Sequence, residues 1–499
     1  MTSTPTAGDG GTATTPAPAE FGRVLNAVDD LGFDATGRDP IDDGLRAAAG
    51  DDTLIEFPPG EYLVTESLVL RDVRRFGMRG LGDDRRAVQF VHPRGYSGRL
   101  VNVRSGRGCV FERFTAQQTD DRWTNSGLVV KNSDGIRVTD VEVAGFSPSE
   151  GPGTEEQGSI DLIVQVTEPG GVGVVQRYVS KGGGEVGVYP KAYPGFYAGL
   201  DHWGTLRLVD CHLEDCGSTG IYAGRTHGPV KVEGGLFKNS DVAQVRVSGE
   251  GSYVRDARVV IDTARSKNAR GTHQTVRGIW WESGSRGKTG GRVENCTFVA
   301  NSAPTPRGLL EVDGTAGGMA VRDSSFAVNA DGFEAIAVRR PGDSPMGGPP
   351  DRPWAVTLRR VRVTGTAADR WAVAVVGRPE SHLEAVTVTQ RGTGRDGVVV
   401  EDAPACELVD CEVVTGGVPL RVSGRPGSAS GCLVELRNVY LATTIPLRGL
   451  ERLPVAGDGG EGSTCLALEG ERGGTAVVVD VRNGRYYGTV VRADESGGA

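Results

Sequence analysis

A six-residue pattern recurs along this chain: an apolar residue, any residue, Asp, Asn or a variant, a small or apolar residue, any residue, and a second apolar residue. It reads "VTDVEV" from Val138, "LVDCHL" from Leu208, "VEGGLF" from Val232, "VRDARV" from Val254, "VENCTF" from Val293 and "VRDSSF" from Val321. It continues as "LRRVRV" from Leu358, "LEAVTV" from Leu383, "LVDCEV" from Leu408 and "LRNVYL" from Leu436. From Leu208 onward the start-to-start spacings are 24, 22, 39, 28, 37, 25, 25 and 28 residues, a base unit of 22 to 28 with two long excursions. A further apolar stretch follows each hexapeptide, among them "TGIYAG", "RGIWWES", "GLLEVDG" and "WAVAVVG". Repetition at this period means that each unit buries its apolar face against its neighbours, so the core grows in one dimension.

Two or three short strands per unit, with Gly, Asn or Asp at the corners, describe one rung of a parallel solenoid. Leucine-rich repeats share the length, but their Leu and Asn ladder is missing and no helical stretch occurs per unit; a propeller needs longer blades. The predicted fold is therefore all-β: a single-stranded right-handed parallel β-helix with a short N-terminal capping helix. The 76 glycines and the aromatic content of only 6% suit short strands and tight turns. Cys211, Cys296 and Cys411 share the fourth hexapeptide position with Val141, Gly235, Ala257 and Ser324, which predicts an inward column of small residues. "CHLEDC" (Cys211 and Cys216) leaves a disulfide or metal role open, although the chain has no CxxC pair.

In "GRDPIDDGLRAAAGDDTLIEFPPGEYLV", Asp39 and Pro40 read as N-cap and first residue of the capping helix, and Gly50 as its end. The strands are expected to begin after it. The expected division is a disordered Thr/Pro/Ala/Gly linker over 1–20, an N-terminal cap and first coils over 21–100, the β-helix over 101–451 and a C-terminal cap over 452–499. The first twenty residues lack the charged and apolar regions of a signal peptide. A mature or trimmed form, or export by another route such as within a virion, would both account for that. No segment approaches the length of a membrane span. A net charge of −9 gives no basic footprint for nucleic acid. Arginine greatly outnumbers the seven lysines, a bias that suits a GC-rich genome or a salt-adapted surface.

The order of capping helix, "DDTLIEFPPGEYLV" and a "GMRGLG" turn resembles the pectate-lyase-like right-handed parallel β-helix superfamily of polysaccharide lyases, polygalacturonases and tailspikes. The stretch "AGLDHWGTLRLVDCHLEDCGSTGIYAG" resembles unassigned β-helix proteins of halophilic archaea. The resemblance implies the fold along nearly the whole chain, and a polysaccharide as ligand. The catalytic motifs do not carry over: paired Asp with Gly-His-Gly is absent, "THG" at Thr226 is a fragment, and Asp201-His202 stands in another context.

Candidate site residues follow from strand alternation. With Ile221, Val245, Ile279, Leu310 and Ile336 inward, Asp201, Tyr222, Arg246, Trp280, Glu311 and Ala337 form one outward line. Trp203, Gly224, Ser248, Glu282, Asp313 and Arg339 form the next. In "GTHQTVRGIWWESG", Trp281 is then the buried indole and Trp280 the exposed one, with Glu282 beside it. Glu282, Glu311 and Asp313 are the candidate catalytic carboxylates, since a glycosidase needs a paired acid and base. Asp201, Tyr222, Arg246, Trp280, Arg339 and His273 are the candidate substrate contacts, the rings offering an apolar face to a sugar. The same carboxylates leave Ca²⁺ open as a cofactor and lyase, hydrolase and epimerase chemistry open as reactions. The two excursions, from Asp262 and from Arg340, adjoin this column and are expected to wall a groove. The "VYPKAYPGFYAGLDHWG" insert, 188–204, either lies over that groove or packs its rings onto the rod. The functional expectation is an extracellular or cell- or virion-surface protein acting on a polysaccharide or surface glycan, as a monomer or homotrimer. A non-catalytic spike or adhesin is the alternative.

Overall fold

The computed structural model describes residues 21–423 except 119–125, 147–159, 191, 269–270 and 346; beyond these it describes Val439 and the strands Val434–Arg437, Tyr440–Thr443, Leu466–Glu469, Ala476–Arg482 and Arg485–Val491. The expected linker, 1–20, lies outside the described residues.

Each coil carries three short strands, here called columns A, B and C. In one coil they are Thr205–Val209, His212–Glu214 and Thr219–Tyr222. Every column pairs in parallel with its counterpart in the next coil. The first residues of the hexapeptides meet in direct register in column A, Leu208 on Val232, Val254, Val293 and Val321. Leu358, Leu383, Leu408 and Leu436 continue the row. The sixth residues do the same in column B, where Phe298 and Phe326 stack at 4.3 Å. From Leu208 to Leu408 and from Leu213 to Val413 both rows are buried, so the hexapeptide repeat is the inner lining of two walls. The chain is a parallel β-helix, coiled in the sense that a parallel crossover requires.

The third hexapeptide residue turns the corner between A and B. Asp210, Asp256, Asn295, Asp323 and Asp410 adopt φ of 51°, 56°, 51°, 49° and 53°. Asp and Asn tolerate this left-handed conformation best among residues with a Cβ, which is why the pattern prefers them. Gly234 fills the same place at φ 67°, and Arg360 and Ala385 do so at 51° and 53°. Cys211, Cys296 and Cys411 follow the corner, buried and free; Cys216 is also buried and free.

The capping helix spans Asp42–Ala48 and seats Leu45 and Ala48 in the core. Asp39 and Pro40 are not its start: they end a strand, Thr36–Pro40, that pairs with Gly60–Leu63. Strands therefore precede the helix, beginning with Arg23–Asn26. The Asp34 carboxylate accepts from the backbone N–H of Thr36, Arg38 and Asp39, which holds this stretch out of a helix. Asp42 is not a cap either; it accepts from Thr65 N and Glu66 N and ties the helix to the next coil. The expected "GMRGLG" turn is largely strand, Phe76–Gly80, in register with Thr53–Phe57. At the other end Leu466–Glu469 extends column A, and the antiparallel pair Ala476–Arg482 and Arg485–Val491 joins column C through Leu420–Ser423. Among the described residues no helix is long and apolar enough to cross a membrane.

Candidate functional site

Column C has the register expected from alternation. Ile221, Val245, Ile279, Leu310 and Ile336 align inward and are fully buried. Tyr222, Arg246, Trp280, Glu311 and Ala337 align outward in the same pairings. Parallel strands about 4.8 Å apart bring like positions into contact, and here they alternate ring and cation. The Arg246 guanidinium lies 4.1 Å from the Tyr222 ring and 4.1 Å from the Trp280 ring, and Arg277 covers Trp280 at 4.0 Å.

That stack corrects one expectation. Trp280 points outward but is only 6% exposed, because Arg246 and Arg277 flank it and Val242 and Ala243 pack with it. Its indole Nε1 donates to Asp313 Oδ2 at 3.2 Å. The exposed indole expected at Trp280 is not there. Asp201 is displaced too: Tyr197 takes its place in register with Tyr222, and Asp201 sits in the following turn, 3.4 Å from Lys131 Nζ.

The three carboxylates are occupied by the protein itself. Glu282 is fully buried and accepts from Arg225 Nε and Arg246 Nε, both at 3.1 Å. It fits because Gly224 has no side chain; a Cβ there would stand 2.7 Å from Glu282 Oε2. Glu311 lies between Arg277 at 3.1 Å and Arg339 at 3.5 Å, and Arg339 also pairs with Glu334 at 2.7 Å. Burial pushes the Glu334 carboxyl up from its ordinary range, with Arg339 opposing. Asp313 accepts from Thr315 N and Thr315 Oγ1 at 2.9 and 2.8 Å, besides the Trp280 indole. Buried ion pairs of this kind are satisfied only as complete sets. His273 is buried, with its Nε2 2.8 Å from Asn239 O, and helps fasten the first excursion to the rod. Among the described residues no group of three His, Cys, Asp or Glu side chains is placed to hold a metal ion.

The excursions flank column C from both ends of its strands. Residues 263–275 lead into Val276–Trp281 and are pinned by Asp215, which accepts from Ser266 Oγ and Lys267 N, and by Asp241, which accepts from Gln274 N. Asp241 also accepts from Gly187 N, so the 182–195 insert and the excursion share one anchor. Residues 339–355 leave Ile336–Val338 and lie against the 284–289 loop, where Thr289 Oγ1 donates to Pro353 O.

The open aromatic surface lies at the corner from column C to column A. Trp203 is 46% exposed and stacks on His227 with centroids 3.6 Å apart and planes 6° apart. Tyr197 and Tyr222 meet edge to face at 5.4 Å in column C, and Tyr189 and Leu200 are exposed nearby in sequence. Burial, then Arg286 and Lys288, lower the His227 imidazole below its ordinary range, with Asp201 opposing. Lys288 is pushed down to about 8, mainly by burial and then by Arg286. His202, between Asp201 and Trp203, is structural: its Nδ1 accepts from Val166 N at 3.0 Å, and burial brings it down to about 4. His227, Arg286 and Lys288 are not among the residues that strand alternation singles out. The signal was present, since Trp203 and His227 are 24 residues apart, the same step that separates Leu208 from Val232.

By fold and by this surface, the chain is a β-helix protein with an aromatic and cationic corner. No protein-family model matches it, and no curated protein matches it in sequence. Among solved structures it is similar to the A-module of mannuronan C-5 epimerase AlgE4 from Azotobacter vinelandii, at 12% identity over 82% of this chain and 99% of that one, with a TM-score of 0.46. It is also similar to the surface protein and adhesin PfbA of Streptococcus pneumoniae, at 12% identity over 84% and 97%, with a TM-score of 0.47. The Dettilon tailspike protein matches at 11% identity over 76% and 68%, with a TM-score of 0.40. No residue role or activity passes from these proteins to this chain, and the expected likeness to halophilic archaeal proteins has no support among them.

Proposed function

We propose that this protein binds a polysaccharide on the corner between columns C and A and does not cleave it at Glu282, Glu311 or Asp313. One observation carries the reading: the large outward ring left open in this region is Trp203, stacked on His227, while the ring beside the carboxylates is sealed in. A sugar presents an apolar face to such a ring. The carboxylates point the same way, because each is already engaged by guanidinium, amide or hydroxyl donors of the protein itself. A polymeric glycan as ligand places the protein outside the cell or on a cell or virion surface, as a binding rod of the adhesin or spike kind. The test is affinity electrophoresis in gels containing acidic and neutral polysaccharides. Wild type is expected to be retarded by at least one glycan, and Trp203→Ala to lose roughly tenfold in affinity, the equivalent of about 1.4 kcal/mol. Equal retardation of wild type and Trp203→Ala would overturn the placement of the site.

A further inference from the structure

Most arginines on these walls and corners have a carboxylate partner. Arg207 pairs with Glu233, Arg246 and Arg225 with Glu282, Arg277 with Glu311, and Arg340 with Asp402. Arg286 and Lys288 break that rule: among the described residues neither has an ion-pair partner. Lys288 Nζ donates only to a neutral oxygen, Thr226 Oγ1, at 3.2 Å. Arg286 Nε is out of reach of solvent and has no hydrogen-bond partner. Two cations left uncompensated in a chain with an excess of acidic residues need a reason.

Their loop is built to bring them to the aromatic corner. Residues 282–291 fold back across the neighbouring coil, so that the Lys288 stem crosses Gly249, where a Cβ would stand 2.4 Å from its Cδ. The second excursion backs the loop: Pro350 lies 3.5 Å from the Cβ position of Gly287. The loop thereby meets the chain beside His227, the partner of Trp203: Lys288 Nζ reaches Thr226 Oγ1, and Arg225 Nε lies 2.9 Å from the Cβ position of Gly284. Two acidic groups are near: Glu282 also acts on Lys288 but is held by Arg225 and Arg246, and Asp201 is drawn to Lys131.

We propose that this corner is a subsite for an anionic sugar residue, whose ring lies on Trp203 and whose carboxylate or sulfate group sits between Arg286 and Lys288. The proposal rests on the glycan-binding reading above and deepens it by giving the ligand a charge. An ammonium and a guanidinium that have no ion-pair partner among the described residues supply the charge-assisted hydrogen bonds that an anionic ligand needs. Neither cation has to be pulled from another carboxylate when the ligand arrives.

Calorimetric titration of the full chain tests this. The ligands are a polyuronate, the same polymer with its carboxyl groups reduced to alcohols, a sulfated dextran and unmodified dextran. Arg286→Gln is the first variant, because that side chain makes no hydrogen bond or ion pair with the described residues and its removal breaks neither. Lys288→Gln is the second, and Arg286→Lys restores the charge. Wild type is expected to bind one anionic polymer at least tenfold more tightly than its neutral counterpart. Each Gln variant is expected to lose most of that preference and Arg286→Lys to retain it, with thermal unfolding showing that all are folded. The arm that shows the preference tells carboxylate from sulfate. Equal affinity for charged and neutral polymers, or a preference that survives both Gln variants, would overturn the anionic subsite and leave glycan binding intact. Binding to none of the four polymers would overturn both.

Discussion

Glu282 shows what a single residue contributes here and how far strand alternation carries. Alternation gave its strand, its register and its neighbours, but not its burial, because the arginines that enclose it come from coils 36 and 57 residues away. Trp280 was misjudged for the same reason: period two says which way a ring points, while lateral stacking between coils decides whether water reaches it. Removing the Glu282 carboxylate takes away the charge that is paired with Arg246, which is 1% exposed. Glu282→Ala is therefore expected to lower unfolding free energy by about 3–5 kcal/mol, measured by denaturant titration. Asp161 makes a different prediction. It is buried, accepts from Ser180 Oγ and Gln118 Nε2, and is pushed up to about 6 by burial. A carboxyl raised in the folded state holds a proton there that the unfolded chain has already released, so its contribution falls as pH rises from about 4 to about 6. The stability difference between Asp161→Asn and wild type should grow over that window, by no more than about 3 kcal/mol, in unfolding curves recorded from pH 4 to 7.

At the scale of elements the hexapeptide is two strands and a corner, and its spelling follows from that. Its apolar ends line columns A and B, and its third residue must accept a positive φ. This much was legible, because side-chain chemistry and conformation coincide at Asp and Asn. Ala385 is the informative exception, holding φ 53° without a polar side chain. Replacing it by Gly relieves a left-handed strain of about 1–2 kcal/mol at an entropic cost of about 0.5–1. Ala385→Gly is thus expected to raise stability by roughly 0.5–1 kcal/mol, read from the shift in denaturation midpoint. The capping helix was legible as an element but not at its start. Asp39-Pro40 spells a helix N-terminus in isolation, whereas Asp34 collects the backbone N–H groups around it and Gly60–Leu63 supplies a strand partner. Competition from outside the local stretch settled the boundary.

For the whole molecule, the parallel stacking of coils means that residues one repeat apart become neighbours, and a binding surface can be assembled from distant parts of the chain. The corner takes Trp203 from one coil, His227 from the next, and Arg286 and Lys288 from a loop that reaches back to them. The fold was readable because it repeats. The site was only partly readable: repeat spacing pairs Trp203 with His227, but a loop folding backwards leaves no periodic trace. Those same stacks close the carboxylate ladder of column C, so the account separates holding a glycan from cutting it. The most direct measurement is the molar-mass distribution of a polysaccharide that the protein demonstrably retains, before and after prolonged incubation with wild type. Saturable binding and an unchanged distribution are expected. A fall in molar mass that Glu282→Gln or Asp313→Asn abolishes, in variants shown to remain folded, would contradict this and return those carboxylates to a catalytic role.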